Sequence, residues 1–224
     1  MAVHFTNQEF KNRKEKVLKN MSEANIDALL MFKQESMYWL TGYDTFGYVF
    51  FQCLVLDKSG NIILLTRAPD LRQAQNTSII KDIRIWIDKA GANPNDDLKR
   101  ILNELKLEGK KIGIEYDAYG LTGRNAMLLN KSLNGFYKIE DKSELISKLR
   151  VIKSVKEISY VKKAAELADK ALDEVWKLIQ TYLQFYNNHL MICLIVWHFY
   201  LLIRKHHIQS QFFYPQVLIH LKFF

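Results

Sequence analysis

Histidines and paired carboxylates are the first side chains to consider for chemistry in this chain of 224 residues. Five of the six histidines fall after Gln180: His189, His198, His206, His207 and His220. Imidazole is a good zinc ligand, but no two of these residues stand at i and i+4, and neighbouring side chains point apart in either regular structure. Their spacing therefore argues against a zinc site, and we expect no metal bound by this chain.

One carboxylate pair, Glu115 and Asp117, follows a predicted strand. Two nearby carboxylates can divide the roles of general acid and general base when their surroundings separate their pKa values. A loop at the end of a strand is, however, usually solvated. We therefore expect these two side chains to form an exposed rim rather than a catalytic couple.

The two cysteines, Cys53 and Cys193, lie far apart in dissimilar surroundings. Their spacing matches neither a disulfide framework nor a metal-binding motif, so both are interpreted as buried thiols. The amino terminus lacks an apolar run after its basic residues, which excludes a secretory signal from that stretch and favours a cytoplasmic location.

The formal net charge of +8 raises the question of nucleic-acid binding. The basic residues do not gather into a patch interleaved with aromatic side chains, which such binding requires. Five of them share the first predicted helix, interrupted by Glu15, and we interpret them as a solvated face: Lys11, Arg13, Lys14, Lys16 and Lys19. No nucleic-acid partner is expected.

Strands and helices alternate over residues 1–140. Thr6 and Glu9 have the spacing of a capping box and begin a helix that ends near Asn25. A buried strand, "IDALLMF", is followed by a short helical turn, "SMYWLTGYD", which Gly42 ends. The segments "YVFFQCLVLD" and "NIILLT", joined by "DKSG", predict a hairpin.

The pattern then continues with helices and single strands. We predict helices at "DLRQAQNTS", "NPNDDLKRILNELKL" and "GLTGRNAMLLNKSL", and strands at "IRIWID", "KIGIEYD" and "FYKIED". One hairpin among alternating strands and helices indicates an α/β fold, a mixed sheet flanked by helices.

Ser154 and Glu157 have the spacing of a capping box and predict the start of a long amphipathic helix. Apolar residues recur at steps of three and four from Ile158 to Ile179, and charged residues occupy the other side. The apolar stripe needs a partner surface.

The character of the chain changes after Gln180. Residues 181–224 contain no Asp, Glu or Gly and are rich in aromatic residues, so they do not resemble a surface shaped for water. We interpret them as an atypical tail, the out-of-frame or chimeric end of another sequence. The alternative is a membrane anchor at Leu190–Ile203, a run of fourteen residues interrupted by His198 and followed by basic residues.

The segments "YWLTGYDTFGYVFFQCLVLD", "KKIGIEYD" and "LISKLRVIKSVKEISYVKKAAELADKAL" resemble the pita-bread metallohydrolases: Xaa-Pro dipeptidases and aminopeptidases, creatinase and ectoine hydrolase. The likeness covers about four fifths of the chain. It implies a creatinase/prolidase-like amino-terminal domain of ribonuclease H-like fold at 1–140. A linker and the first helix of a catalytic domain would follow at 141–180, and the tail at 181–224.

The resemblance implies two Mn, Co or Zn ions held by two Asp, one His and two Glu, and a water molecule that these metals activate, although creatinase is metal-free. This chain has no carboxylate after Glu174 and cannot build that site alone. We therefore expect a truncated, inactive member of the family. The alternative is a non-catalytic module that binds peptides or protein partners.

The resemblance also implies a homodimer in which the amino-terminal domain of one subunit contacts the substrate of the neighbouring subunit. The substrate would be a peptide or a small amide. The matching positions are Tyr43, Asp44, Phe46, Tyr48 and Arg67. An arginine among aromatic side chains could hold a carboxylate or an apolar side chain. The alternative is that the three aromatic residues belong to the core and that Asp44 caps a turn.

Overall fold

A computed structural model describes residues 4–185 of the chain, with the side chains of residues 4–181. The chain divides between Ile152 and Lys153 into two compact units. The elements of the first unit are α1 (Asn7–Glu23), β1 (Ala28–Met31), α2 (Gln34–Thr41), β2 (Cys53–Asp57), β3 (Ile62–Arg67), α3 (Leu71–Thr77), β4 (Asp82–Trp86), α4 (Pro94–Glu104), β5 (Lys111–Ile114), α5 (Gly123–Leu133), β6 (Lys138–Asp141) and α6 (Leu145–Val151). The second unit begins with α7 (Val155–Phe185).

The strands form one mixed sheet in the order β4-β3-β2-β1-β5-β6. β2 is antiparallel to both of its neighbours, whereas the other adjacent pairs are parallel. Five strands therefore end at the same edge of the sheet, and β2 begins there. We call this side the carboxyl edge.

Helices cover both faces of the sheet. On one face, Leu30 and its neighbours pack with residues of α4 and α5, including Leu98 and Leu129. On the other face, Leu29 and Met31 pack with residues of α1, α2, α3 and α6. Alternate residues of β1 thus enter two separate cores, which explains why this strand is a continuous apolar run. The predicted α/β fold is confirmed.

The predicted hairpin and the end of α2 at Gly42 are also confirmed, although α2 begins at Gln34, two residues before the predicted Ser36. β2 and β3 pair from Cys53↔Leu65 to Leu56↔Ile62, but β2 begins at Cys53 rather than at Tyr48. Gly42 ends α2 with φ of 82° and donates its N–H to the carbonyl oxygen of Tyr38 at 2.7 Å. A left-handed residue at this position favours glycine, which has no Cβ to clash.

The two predicted capping boxes differ. At Ser154 both bonds form: its hydroxyl accepts from the N–H of Glu157 at 3.2 Å, and the Glu157 carboxylate accepts from the N–H of Ser154 at 2.7 Å. At Thr6 only the hydroxyl bond forms, at 3.2 Å from the N–H of Glu9. The Glu9 carboxylate instead pairs with Arg13 at 3.0 Å.

Arg13 corrects the interpretation of α1 as carrying five solvated basic residues. Its side chain is almost fully enclosed, at 3% residue exposure, and its guanidinium donates to the carbonyl oxygen of Trp39 at 2.7 Å. The Arg13 guanidinium also lies 4.0 Å from the centre of the Phe5 ring. A planar cation can stack on aromatic rings while its edge donates hydrogen bonds, so this arginine joins α1 to α2.

α7 is a helix of 31 residues. Large apolar side chains along it are exposed: Ile158, Leu167, Leu172, Trp176 and Leu178. Within residues 4–185, no helix is long and apolar enough to cross a membrane. The alternative interpretation of residues 190–203 as a membrane anchor and the late histidines concern residues outside the described ones.

We expect Arg13→Ala to lower the free energy of unfolding by about 2–4 kcal/mol, because it removes buried charge-assisted hydrogen bonds and leaves a cavity between α1 and α2. Lys16→Ala, at an exposed position of the same helix, is the control and should change stability by less than about 0.5 kcal/mol. Urea denaturation of both variants measures the difference. Equal stability of the two variants would contradict the structural role of Arg13.

Candidate functional site

Residues 43–52 run along the carboxyl edge of the sheet between α2 and β2, and we call them the aromatic loop. Phe46 is 63% exposed, and Tyr48, Val49 and Phe50 are also exposed. Tyr119, which follows β5 and is 71% exposed, meets Tyr48 edge to face with ring centres 6.0 Å apart. Exposed aromatic side chains gathered in this way are typical of surfaces that bind a ligand or partner.

Tyr43 does not belong to this exposed surface, because its side chain is fully buried. Its hydroxyl donates to Oε1 of Gln52 at 2.6 Å and lies 3.2 Å from Oγ1 of Thr66. Burial raises the pKa of Tyr43 to about 12, so the phenol stays protonated. The alternative of a core aromatic residue therefore applies to Tyr43 and not to Phe46 or Tyr48.

Asp44 is half-buried where the aromatic loop passes the end of α3. Its N–H donates to Oγ1 of Thr77 at 3.2 Å. The Thr77 hydroxyl in turn donates to the carbonyl oxygen of Gln73 at 2.9 Å. The backbone of Asp44 is thus tied to α3, and this tie holds the start of the loop in place.

Arg67 lies at the carboxyl end of β3, beneath Phe50. Its guanidinium carbon is 3.4 Å from the centre of the Phe50 ring, and its Nε donates to Oδ2 of Asp70 at 3.1 Å. The Arg67 side chain is only 14% exposed. The structure therefore brings Arg67 together with the aromatic loop and places an acidic partner beside it.

Buried hydrogen bonds hold the aromatic loop from below. Asp70 accepts from the Thr45 hydroxyl at 3.3 Å, and the Thr45 hydroxyl accepts from the N–H of Gly47 at 2.9 Å. The amide of Gln52 donates to the carbonyl oxygen of Gly47 at 2.7 Å. A Cβ on Gly47 would lie 2.6 Å from both Asp70 Oδ2 and Gln52 Nε2, so only glycine fits here without displacement.

Gly120 connects Tyr119 to this arrangement. A Cβ at Gly120 would lie 2.5 Å from the carbonyl oxygen of Phe50 and 3.1 Å from that of Tyr48. The backbone after β5 can approach the aromatic loop this closely because no side chain intervenes. Tyr119 is held against Tyr48 as a result.

Glu115 corrects the expectation of an exposed rim. Its side chain is completely buried at the amino end of α2. Oε2 accepts from the N–H groups of Phe32 and Lys33, each at 3.1 Å, and Oε1 accepts from the Ser36 hydroxyl at 2.6 Å. Burial raises the pKa of Glu115 to about 7, while these donors oppose the rise. Glu115 thus binds the backbone just before α2 and the Ser36 side chain in its first turn, from a different part of the chain.

Asp117 does point to solvent, with its side chain 89% exposed. Its Oδ2 pairs with Nζ of Lys33 at 3.2 Å, and the same Nζ donates to the carbonyl oxygen of Ser143 at 3.2 Å. Glu115 and Asp117 therefore face different environments. The two carboxylates do not share one site.

Among the residues of this arrangement that the sequence did not predict are Phe50, Asp70 and Tyr119. Asp70 stands three residues after Arg67, a separation that permits an ion pair in a turn, and this spacing was the available signal. Phe50 and Tyr119 gave no such signal, because each is one aromatic residue among many. Among residues 4–185, no group of three or more histidine, cysteine, aspartate or glutamate side chains is placed to hold a metal ion.

We expect Gly120→Ala to destabilise the first unit by about 1–3 kcal/mol, because its Cβ would overlap the Phe50 carbonyl oxygen and force the aromatic loop outward. Gly123→Ala is a matched control, since a Cβ there meets nothing within 4 Å. Its effect should stay within about 0.5 kcal/mol. Denaturation midpoints measure the difference, and equal midpoints would show that the two segments are not in contact.

The raised pKa of Glu115 makes stability depend on pH. Between about pH 4.5 and 7, Glu115 stays protonated in the folded state but is already ionised in the unfolded state. The free energy of unfolding should therefore fall as the pH rises through this range, by on the order of 3 kcal/mol. Glu115→Gln cannot titrate, so its stability relative to the wild type should rise with pH across this range. Asp117→Asn, at the exposed carboxylate, is the control and should keep the wild-type slope. Parallel wild-type and Glu115→Gln profiles in urea denaturation would contradict this prediction.

Residues 13–152 match the family model described as the creatinase/prolidase N-terminal domain. A curated relative, ectoine hydrolase from Halomonas elongata, is 26% identical over 187 residues, which cover 80% of this chain and 47% of that protein. The chain therefore spans about half the length of this relative.

Solved structures agree with the family match. The dipeptidase from Pyrococcus horikoshii superposes with a TM-score of 0.61 at 26% identity, covering 74% of this chain and 44% of that one. The Xaa-Pro dipeptidase from Bacillus anthracis, at 21% identity and a TM-score of 0.61, covers 75% and 43% and shares the fold. The family match extends over more than half of the chain and ends where the first compact unit ends, at Ile152. The chain thus belongs to the creatinase/prolidase N-terminal domain family.

Proposed function

We propose that this chain is the amino-terminal part of a metal-dependent Xaa-Pro peptidase or related creatinase-like hydrolase and has no catalytic activity alone. The observation that carries the proposal is the family match over residues 13–152 in a chain that covers less than half of its hydrolase relatives. The names of these relatives include an ectoine hydrolase and dipeptidases. Activity on an Xaa-Pro bond is therefore the reaction class that we assign to the complete enzyme.

The described residues do not fit the expected pair of divalent metal ions. Hard cations held close together need several carboxylates around them, and residues 4–185 offer no such group. The buried carboxylates Glu115 and Asp70 are already engaged as hydrogen-bond acceptors within the fold. The contribution of this part of the protein is accordingly recognition rather than activation of water.

The aromatic loop is the surface that performs this recognition. Phe46, Tyr48 and Phe50 are exposed. Beneath them, the Gln52 amide donates a buried hydrogen bond to the loop backbone, and Asp70 accepts one from the loop. A surface that is rigid before binding loses less conformational entropy when a ligand docks. In a homodimer of the complete enzyme, this surface supplies one wall of the peptide site of the neighbouring subunit.

A second candidate function rests on the same surface. Because the aromatic loop and its supports all lie in the first compact unit, they can bind an apolar peptide without a catalytic domain. The chain would then act as a peptide-binding or partner-binding module. Both functions predict that this chain alone binds peptide without hydrolysing it. They differ in whether a longer protein that contains the chain hydrolyses Xaa-Pro peptides.

The proposed function predicts that N-acetyl-Leu-Pro-Leu amide binds to the 224-residue chain and shifts the NMR signals of the aromatic loop. Phe46→Ala and Tyr48→Ala should each weaken this binding by roughly 5- to 30-fold, because each removes an exposed aromatic contact. Phe136→Ala is the control, since Phe136 is an exposed aromatic residue just before β6, at the opposite edge of the sheet.

A Leu-Pro dipeptide with Mn²⁺ or Co²⁺ should show no turnover with this chain alone. Turnover well above background would contradict the proposed lack of activity. Peptide binding that is equally strong in Phe46→Ala, Tyr48→Ala and wild type would contradict the assignment of the aromatic loop.

A further inference from the structure

Asp70 contacts both the aromatic loop, through Thr45, and Arg67. We propose that Asp70 is a specificity-determining residue, which neutralises Arg67 so that the loop takes an apolar side chain and not a terminal carboxylate. This inference rests on the proposed function, because it concerns the ligand of the same loop. An arginine among aromatic rings, if its charge were not balanced, could bind either a carboxylate or an apolar side chain next to the rings.

The geometry around Arg67 carries the inference. Asp70 Oδ2 accepts from the Nε of Arg67 at 3.1 Å, and the face of the guanidinium is covered by Phe50 at 3.4 Å. The Arg67 side chain is 14% exposed, and that of Asp70 is 8% exposed. The positive charge of Arg67 is therefore balanced by a carboxylate that is shielded from solvent.

A ligand carboxylate would meet two obstacles at this position. It would have to approach the negative charge of Asp70 as well as the positive charge of Arg67, and these opposite effects largely cancel. It would also have to lose its water while the exposed surface around it is aromatic: Phe46, Tyr48, Phe50 and Tyr119. An apolar side chain meets neither obstacle and gains contact with these rings.

Asp70 is also fixed in place from the loop side. Its Oδ1 accepts from the Thr45 hydroxyl at 3.3 Å, and both of its oxygens lie close beneath Gly47, where a Cβ would come within 2.7 Å of either one. The carboxylate therefore fills the space that glycine leaves open. A single buried group thus positions the loop and sets the charge of the surface above it.

The test compares N-acetyl-Leu-Pro-Leu with a free terminal carboxylate and the same peptide as its amide, by NMR titration of the 224-residue chain. Wild type should bind both forms with affinities within about threefold, at low and at high salt. An available arginine would favour the carboxylate by about tenfold or more, and salt would weaken that preference.

Asp70→Asn keeps a hydrogen-bond acceptor but removes the charge, so a carboxylate preference of about fivefold or more should emerge. Asp82→Asn is the matched control, because Asp82 also pairs with an arginine, Arg84, but lies at the start of β4, at the opposite edge of the sheet. It raises the net charge by the same amount and should leave the affinity ratio at the wild-type value.

The outcomes separate this inference from the function on which it rests. If neither peptide binds to wild type, the proposed recognition by the aromatic loop is wrong, and the role of Asp70 in specificity falls with it. If the amide binds to the loop but wild type prefers the carboxylate tenfold, only the inference about Asp70 is overturned. An unchanged ratio in folded Asp70→Asn overturns it as well. Should Asp70→Asn not fold, the affinity ratio and salt dependence of wild type decide alone.

Discussion

The reversed direction of β2 is the constraint on which the candidate site depends. Five strands end at the carboxyl edge, so a strand that runs the other way must begin there. The chain therefore leaves α2 and passes along this edge before it enters β2, which places residues 43–52 where the other strands present their ends. In open α/β sheets, ligands bind at the carboxyl ends of strands, and here the topology lays an aromatic segment across that position.

Buried carboxylates secure this edge at two points. Glu115, after β5, holds the amino end of α2, and Asp70, after β3, holds both Arg67 and the aromatic loop. Each carboxylate accepts hydrogen bonds from groups distant in sequence, and a buried acceptor that loses its donors is costly. Both therefore resist rearrangement of the edge, and Asp70 holds the loop that carries the exposed rings.

The elements could be predicted from sequence because their signals are local. These signals are the spacing of apolar residues, the capping residues and the glycine after α2, and each involves neighbours only a few residues apart. The structure confirms the elements, the glycine after α2 and the capping box at Ser154. The burial of Arg13 and Glu115 could not be predicted in this way. Each is surrounded by residues from other elements, Trp39 for Arg13 and Ser36 for Glu115, so the charge pattern of their own segment indicated a solvated position. Tyr43 and Phe46 likewise share one short segment, and only the tertiary structure separates a core residue from an exposed one.

α7 links both candidate functions to one physical requirement. A helix of 31 residues gains most of its stability from burial of an apolar face, and Ile158, Leu172 and Trp176 are exposed on one side of this helix. The start of α7, in contrast, needs no partner, since the side chains of Ser154 and Glu157 each accept a hydrogen bond from the backbone N–H of the other residue. The helix thus has a well-defined beginning and an apolar surface that a partner must cover. In the proposed hydrolase, a catalytic domain would cover this surface. In the proposed binding module, another surface would cover it, and the aromatic loop would keep its supports, because they all belong to the first unit.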